Sequence, residues 1–112
     1  MSLFTAGATE SPSELLLNAA SFNRKEAMIA AIRDGGDVNF VRMDIAPTLI
    51  CAMREYEECL EALMVSGARA DIPNRLGWTA LHEAAIKESP ACLDFILSYP
   101  EQTNMKAKET NN

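Results

Sequence analysis

The strongest constraint on this chain is that it repeats itself. Slid along its own length, it aligns three times with a period of 32 to 33 residues. The first segment runs from Leu16-Leu17-Asn18-Ala19-Ala20 through Ala30-Ala31-Ile32 to Gly35-Gly36-Asp37-Val38-Asn39. The second runs from Leu49-Ile50-Cys51-Ala52-Met53 through Cys59-Leu60-Glu61-Ala62-Leu63-Met64 to Gly67-Ala68-Arg69-Ala70-Asp71. The third runs from Leu81-His82-Glu83-Ala84-Ala85 through Cys92-Leu93-Asp94-Phe95-Ile96-Leu97 to Ser98-Tyr99-Pro100. The leading leucines stand 33 and then 32 residues apart, Gly35 and Gly67 stand 32 apart, and Pro100 follows 33 later. Registers that agree at both ends of a segment mark a stack of supersecondary units, because one unit cannot bury its apolar face alone and stacked neighbours can.

Each unit reads as helix, short turn, helix, glycine stop and extended loop. Ser11-Pro12-Ser13-Glu14 is a helix start in which Ser11 caps, Pro12 suits the first helical position and Glu14 completes a capping box. Thr79 plays the cap in the third unit, and Ser89-Pro90 repeats the Ser-Pro start for its second helix. Gly35 and Gly67 sit where the second helices must leave through a left-handed conformation. Val38-Asn39-Phe40-Val41 and Ala70-Asp71-Ile72-Pro73 are short and polar-flanked, as the arms of projecting hairpin-like loops are. Ala19-Ala20 and Ala84-Ala85 let first helices approach closely, while Leu63, Met64, Phe95 and Ile96 fill the space behind. The expected class is all-α: an N-terminal extension over 1–10, units at about 11–41, 42–73 and 74–103, and a polar tail over 104–112.

Composition excludes several functions. The 112 residues suffice for one modest core and not for separate cofactor and substrate domains. A net charge of -6 opposes non-specific binding to nucleic acid or anionic membrane and favours a partner with a basic surface. No apolar run approaches the roughly 20 residues that cross a bilayer, and Met1-Ser-Leu-Phe-Thr lacks the cationic start of a signal peptide. The expected location is cytoplasmic. Three cysteines, an odd number, do not suggest a disulfide scaffold. Cys51, Cys59, Cys92 and the lone His82 have no zinc-ligand spacing, so no metal and no cofactor are expected.

At the third unit the sequence resembles the ankyrin repeat family. Asn74-Arg75-Leu76-Gly77-Trp78-Thr79-Ala80-Leu81-His82-Glu83-Ala84-Ala85 matches its D-x-x-G-x-T-P-L-H-x-A-A, and Gly36-Asp37-Val38-Asn39 matches its G/A-D-V-N. The resemblance covers about residues 11–103 and implies a solenoid of three helix-turn-helix units that binds another protein, with no catalytic role. It also implies that His82, three residues after Thr79, ties loop to helix. The second unit departs from the pattern. Ile45 stands for the glycine, Pro47 for the threonine and Ile50 for the histidine, and one residue is missing between Met53 and Cys59. Neither end has a polar capping face: Leu15, Leu16 and Leu17 at one end and Phe95, Ile96, Leu97 and Tyr99 at the other await cover. Leu3 and Phe4 folding back, or a second copy of the chain in a homodimer, would supply it.

Candidate binding residues follow from the loops. The resemblance places Trp78 on a projecting loop, where tryptophan is enriched among binding hot spots. Phe40, Val41, Arg42 and Met43 occupy the neighbouring loop, Arg75 and Leu76 flank Trp78, and Glu83 and Lys87 stand beside them on the concave helices. The alternative is that Trp78 packs inward on Met43 or Ile45. Glu55, Glu57, Glu58 and Glu61 form an acidic run that is either a solvated face or a steering patch for a basic partner. Cys59 and Cys92, on second helices that pack about 8 to 10 Å apart, lie beyond the roughly 7 Å reach of a disulfide and read as core hydrophobes. Cys51 is expected to be partly exposed. The leading expectation is a non-enzymatic adaptor or inhibitor, alone or within a larger array. The alternative is a self-associating structural protein.

Overall fold

The computed structural model describes residues 10–103, which form six α-helices and one 3-10 turn. The helices are α1 (Pro12–Ser21), α2 (Lys25–Arg33), α3 (Pro47–Arg54), α4 (Glu57–Val65), α5 (Ala80–Lys87) and α6 (Pro90–Leu97), followed by the 3-10 turn Pro100–Gln102. Each pair folds back on itself across a connection of two or three residues. The helices α1, α3 and α5 stack in one layer and α2, α4 and α6 in a second. Leu3, Phe4 and the tail 104–112 lie outside the described residues.

Repetition is clearest in the backbone. The connection in each pair turns on one left-handed residue, Asn23 at φ 58°, Glu55 at φ 57° and Glu88 at φ 53°. After it, the backbone N–H of Arg24, Tyr56 and Ser89 donates to the carbonyl of Ala19, Cys51 and Ala84 at 2.8, 2.8 and 3.4 Å. These bonds satisfy carbonyls that a helix end otherwise leaves orphaned. The second helices α2 and α4 then stop in the same way, at Gly35 and Gly67 with φ of 96° and 94°, whereas α6 ends at Ser98 in the right-handed region at φ -69°. Gly36 is required for a different reason: a Cβ there would stand 2.8 Å from the carbonyl oxygens of both Ala31 and Pro12.

The left-handed residues fix the register of the second unit, and it differs from the sequence expectation. Asn23, Glu55 and Glu88 are 32 and 33 apart, so no residue is missing between Met53 and Cys59. The capping positions are Ser11 for α1, Ala46 for α3 and Thr79 for α5. Ala46 therefore stands at the threonine position and Pro47 at the proline position that follows it. Thr48, not Leu49, is the counterpart of Leu81. Thr48 is fully buried and its hydroxyl donates to the Arg69 carbonyl at 2.8 Å, which is how a polar residue occupies a leucine site. Cys51, expected at a partly exposed place, falls instead opposite Ala19 and Ala84 and is 0% exposed.

The core is one cluster running through all three units. Leu16, Met28, Leu60, Leu63, Met64 and Ile96 are its largest fully buried side chains, with Cys51, Cys59 and Cys92 among the smaller ones. The neighbouring Cys59 and burial together raise the pKa of the Cys51 thiol far above the ordinary value, while the Cys59 thiol donates to Asn23 Oδ1 at 3.6 Å. Burial likewise raises that of Cys92. Of the apolar ends, Leu16 and Ile96 are buried, whereas Leu15 and Leu97 are exposed. Ser89 stands at the start of α6 ahead of Pro90, but its side chain makes no cap bond.

Candidate functional site

The two projecting loops solve the problem of reversing direction in different ways. Residues 42–45 make a tight hairpin in which Arg42 and Ile45 exchange both backbone bonds at 3.1 Å. Met43 and Asp44 turn it with φ of 52° and 69°, the positive pair that a two-residue hairpin demands. Residues 74–78 make a wider hairpin. There the Gly77 N–H donates to the Asn74 carbonyl at 2.9 Å and the Asn74 N–H to the Trp78 carbonyl at 2.9 Å, with Gly77 at φ 78°. The first tip is thus one residue shorter than the second, and this is where the missing residue of the period lies. Ile45 is the counterpart of Trp78 and does not replace the glycine; Asp44, left-handed at φ 69°, stands where the third unit has Gly77 at φ 78°.

Hydrogen bonds lace the two loops together. Asn74 Oδ1 accepts from the backbone N–H of Leu76 and Trp78, which holds its own tip closed. Both carboxylate oxygens of Asp44 accept from the Arg75 backbone N–H at 3.1 Å, and one also meets Arg75 Nε at 3.4 Å. Lower down, Asn39 Oδ1 accepts from the Arg69 N–H at 2.8 Å. Arg69 itself grips Asp71 through two bonds of 2.8 and 2.7 Å, the bidentate geometry a guanidinium favours. The tips are therefore held at a fixed separation.

Trp78 closes the second hairpin, and its ring folds over the start of α5. Its ring stacks on His82 with centroids 4.8 Å apart, and its indole N–H donates to Glu83 Oε2 at 2.8 Å. Of the two inward partners considered, Met43 and Ile45, Met43 is 85% exposed. Trp78 lies half-buried on the first turn of α5, leaving the rest of the ring open. His82 beneath it performs the tie that the resemblance implied. The Thr79 N–H donates to His82 Nδ1 at 3.0 Å while Thr79 Oγ1 accepts from the His82 N–H at 3.3 Å, a reciprocal capping box.

The other candidates divide by exposure. Met43 and Leu76, at 85% and 88% exposed, stand at the two tips with Arg42 and Arg75 beside them. Val41 is exposed at the foot of the first tip. Phe40 is not at the tip: it packs against the core from the loop's base. Glu83 is engaged by Trp78, and Lys87 is exposed in the last turn of α5. Between the first tip and α1 runs a groove of about 390 Å³, walled by Glu14, Leu17, Asn18 and Ser21 on one side and Arg42, Met43 and Ile45 on the other. Glu14, Asn18 and Ser21 are not among the binding residues expected from the sequence, where nothing marks a helix face as inward until the loops are placed over it. The acidic run Glu55, Glu57, Glu58 is elsewhere, on the edge formed by the helix connections.

Among the described residues no group of three or more histidine, cysteine, aspartate or glutamate side chains is placed to hold a metal ion, and no helix is long and apolar enough to cross a membrane.

Comparison with known proteins agrees with this geometry. The family model for ankyrin repeats (3 copies) matches residues 9–109. Mouse ankyrin repeat and SOCS box protein 16 is 34% identical over 65 residues, which is 57% of this chain and 14% of that protein. The crystal structure of the human ASB11 ankyrin repeat domain superposes with a TM-score of 0.68 at 27% identity, covering 75% of this chain and 38% of that one. The chain thus spans a small part of the relatives it matches.

Proposed function

The chain belongs to the ankyrin repeat family, and on that footing we propose that it is a non-enzymatic adaptor or inhibitor that docks a partner protein against its hairpin tips and the layer α1, α3 and α5. The observation that carries this is the fixed pair of tips. They present Met43 and Leu76 almost fully to solvent on a scaffold that hydrogen bonds hold rigid. Apolar side chains carried on a backbone that is already ordered spare the interface the entropy of ordering the loop, which is one condition for efficient binding. Trp78, braced by His82 and Glu83, adds an aromatic platform beside them. The longer relatives fit an adaptor role, in which such a stack is the recognition part of a larger protein.

The net charge of -6 and the edge bearing Glu55, Glu57 and Glu58 favour a partner that also carries a basic surface, steered by that edge at long range. A cytoplasmic location belongs with this proposal.

The test is a quantitative pull-down comparing the native chain with the double variant Arg75→Ala, Trp78→Ala. Trp78→Ala alone is expected to weaken partner binding by about 2 kcal/mol, the scale of a hot spot, with the stack still folded. A stability loss above about 3 kcal/mol with partner affinity retained would assign Trp78 to packing and remove it from the binding face.

A second function is favoured by the stack's ends. Leu60 and Met64 are fully buried, yet their counterparts one unit later, Leu93 and Leu97, are partly and clearly exposed. At the opposite end Ala27 is exposed where Cys59 and Cys92 are buried. Copies stacking end to end would cover both faces, making the chain self-associating. A mass in solution that does not change with concentration removes this alternative.

A further inference from the structure

Each tip presents an arginine on a molecule whose net charge is -6. Arg75 is 87% exposed at its side chain, and its only acceptor among the described residues is Asp44, reached through Nε at 3.4 Å. The two outer nitrogens of its guanidinium are left without a hydrogen bond there. Arg42, on the other tip, has one anionic neighbour, Glu14, at 3.8 Å, which is beyond hydrogen-bond length. Neither nearby carboxylate closes a fork: Asp44 Oδ2 meets Arg75 only through Nε, and Glu14, whose Oε1 accepts from the Ser11 N–H at 2.9 Å, keeps its Oε2 3.8 Å from Arg42. Two guanidinium forks with open donors therefore stand next to two exposed apolar side chains, Met43 and Leu76.

We propose that the partner engages the tips through an acidic segment studded with apolar residues, its carboxylates bridging Arg42 and Arg75 and its apolar side chains lying on Met43 and Leu76. This rests on the assignment of the tips as the docking face and adds the chemistry of what docks there. A guanidinium offers parallel N–H groups whose spacing matches the two oxygens of a carboxylate, so it selects for that group where a lysine would supply only charge. The apolar contacts exclude water from those ion pairs, and a pair shielded in this way is weakened less by salt than an open one. The acidic edge at the helix connections does not compete, since it lies away from the tips. Long-range charge and contact charge are thus separate properties of this surface: the first steers, and the second selects.

The experiment is selection of a displayed random peptide library on the whole chain, followed by fluorescence anisotropy of the enriched peptides. Enriched sequences rich in Asp and Glu interleaved with Leu, Ile or Phe are expected. Their affinity is expected to fall about tenfold or more in Arg42→Gln, Arg75→Gln and several-fold in Arg75→Lys, which keeps the charge and loses the fork. The control Glu55→Gln, Glu58→Gln is expected to bind as the native chain does. Circular dichroism melts of each variant confirm that the stack is intact. Enriched peptides that are neutral or basic, or acidic ones indifferent to both arginines, overturn the acidic-segment proposal. The docking assignment still stands in that case if Trp78→Ala weakens those peptides. Phosphoserine versions that bind more than about tenfold tighter than the Asp and Glu versions overturn the carboxylate assignment. A library that yields no binder overturns both the proposal and the docking face beneath it.

Discussion

Single residues in this chain hold conformations that only their surroundings justify. Gly77 turns its hairpin at φ 78°, with nothing within 4 Å of a would-be Cβ, so Gly77→Ala carries conformational strain alone and is expected to cost about 1 kcal/mol. Gly36 is the opposite case. A methyl group there meets two backbone carbonyl oxygens at 2.8 Å, neither of which can swing aside, and Gly36→Ala is expected to cost about 2 kcal/mol or more. Urea denaturation of the two variants checks the order, and equal losses would mean that α1 and the end of α2 are not packed as closely as described. Thr79→Ala removes the hydroxyl of the capping box and is expected to cost about 1 kcal/mol. Trp78 shows the limit of reading a residue from sequence. Its exposure depends on His82 and Glu83, four and five residues further on in a pattern that reveals spacing but not which rotamer the ring adopts.

At the level of elements, the helix pairs and their stops were legible because they follow from apolar period, caps and glycines. The register of the second unit was not. An apolar row through Leu49-Ile50-Cys51-Ala52 reads equally well one residue either way, and Thr48 gave no sign that its hydroxyl would be satisfied in a leucine site. The backbone resolves the ambiguity through Glu55, left-handed in line with Asn23 and Glu88. Glutamate gains nothing from that conformation, whereas glycine adopts it without strain. Glu55→Gly is therefore expected to stabilise the chain by about 0.5 to 1 kcal/mol in a thermal or urea melt, and a clear loss would place the connection in another geometry. The cysteines supply an independent check on packing. With all three thiols buried and that of Cys51 held protonated by Cys59 and by burial, none is expected to react with a thiol reagent until denaturant is added. Fast reaction mapped to Cys51 in the native chain would put that residue back at the surface.

Across the whole molecule, the stack is continuous but its two ends and its tips are left unequal. The internal faces are closed by Leu60, Leu63 and Met64, and the outer ones expose Leu15 and Leu97. The tip strip was partly legible from sequence: Met43, Leu76, Arg42 and Arg75 are where the loops were expected to carry them, and Phe40 is not, because the shorter first hairpin leaves it at the base against the core. The direct link from Asp44 to Arg75 was beyond reach of any periodic pattern, since it joins residues 31 apart through a turn whose type was not yet known. Docking at the tips is most directly tested by amide chemical shifts of the labelled chain on addition of a selected peptide or an identified partner. Shifts confined to residues 40–45 and 74–83 and the facing side of α1 are the expected result. Shifts centred on 55–58 and 88–90, with the tips unmoved, would show that the partner is held by the acidic edge and that the hairpins are structural.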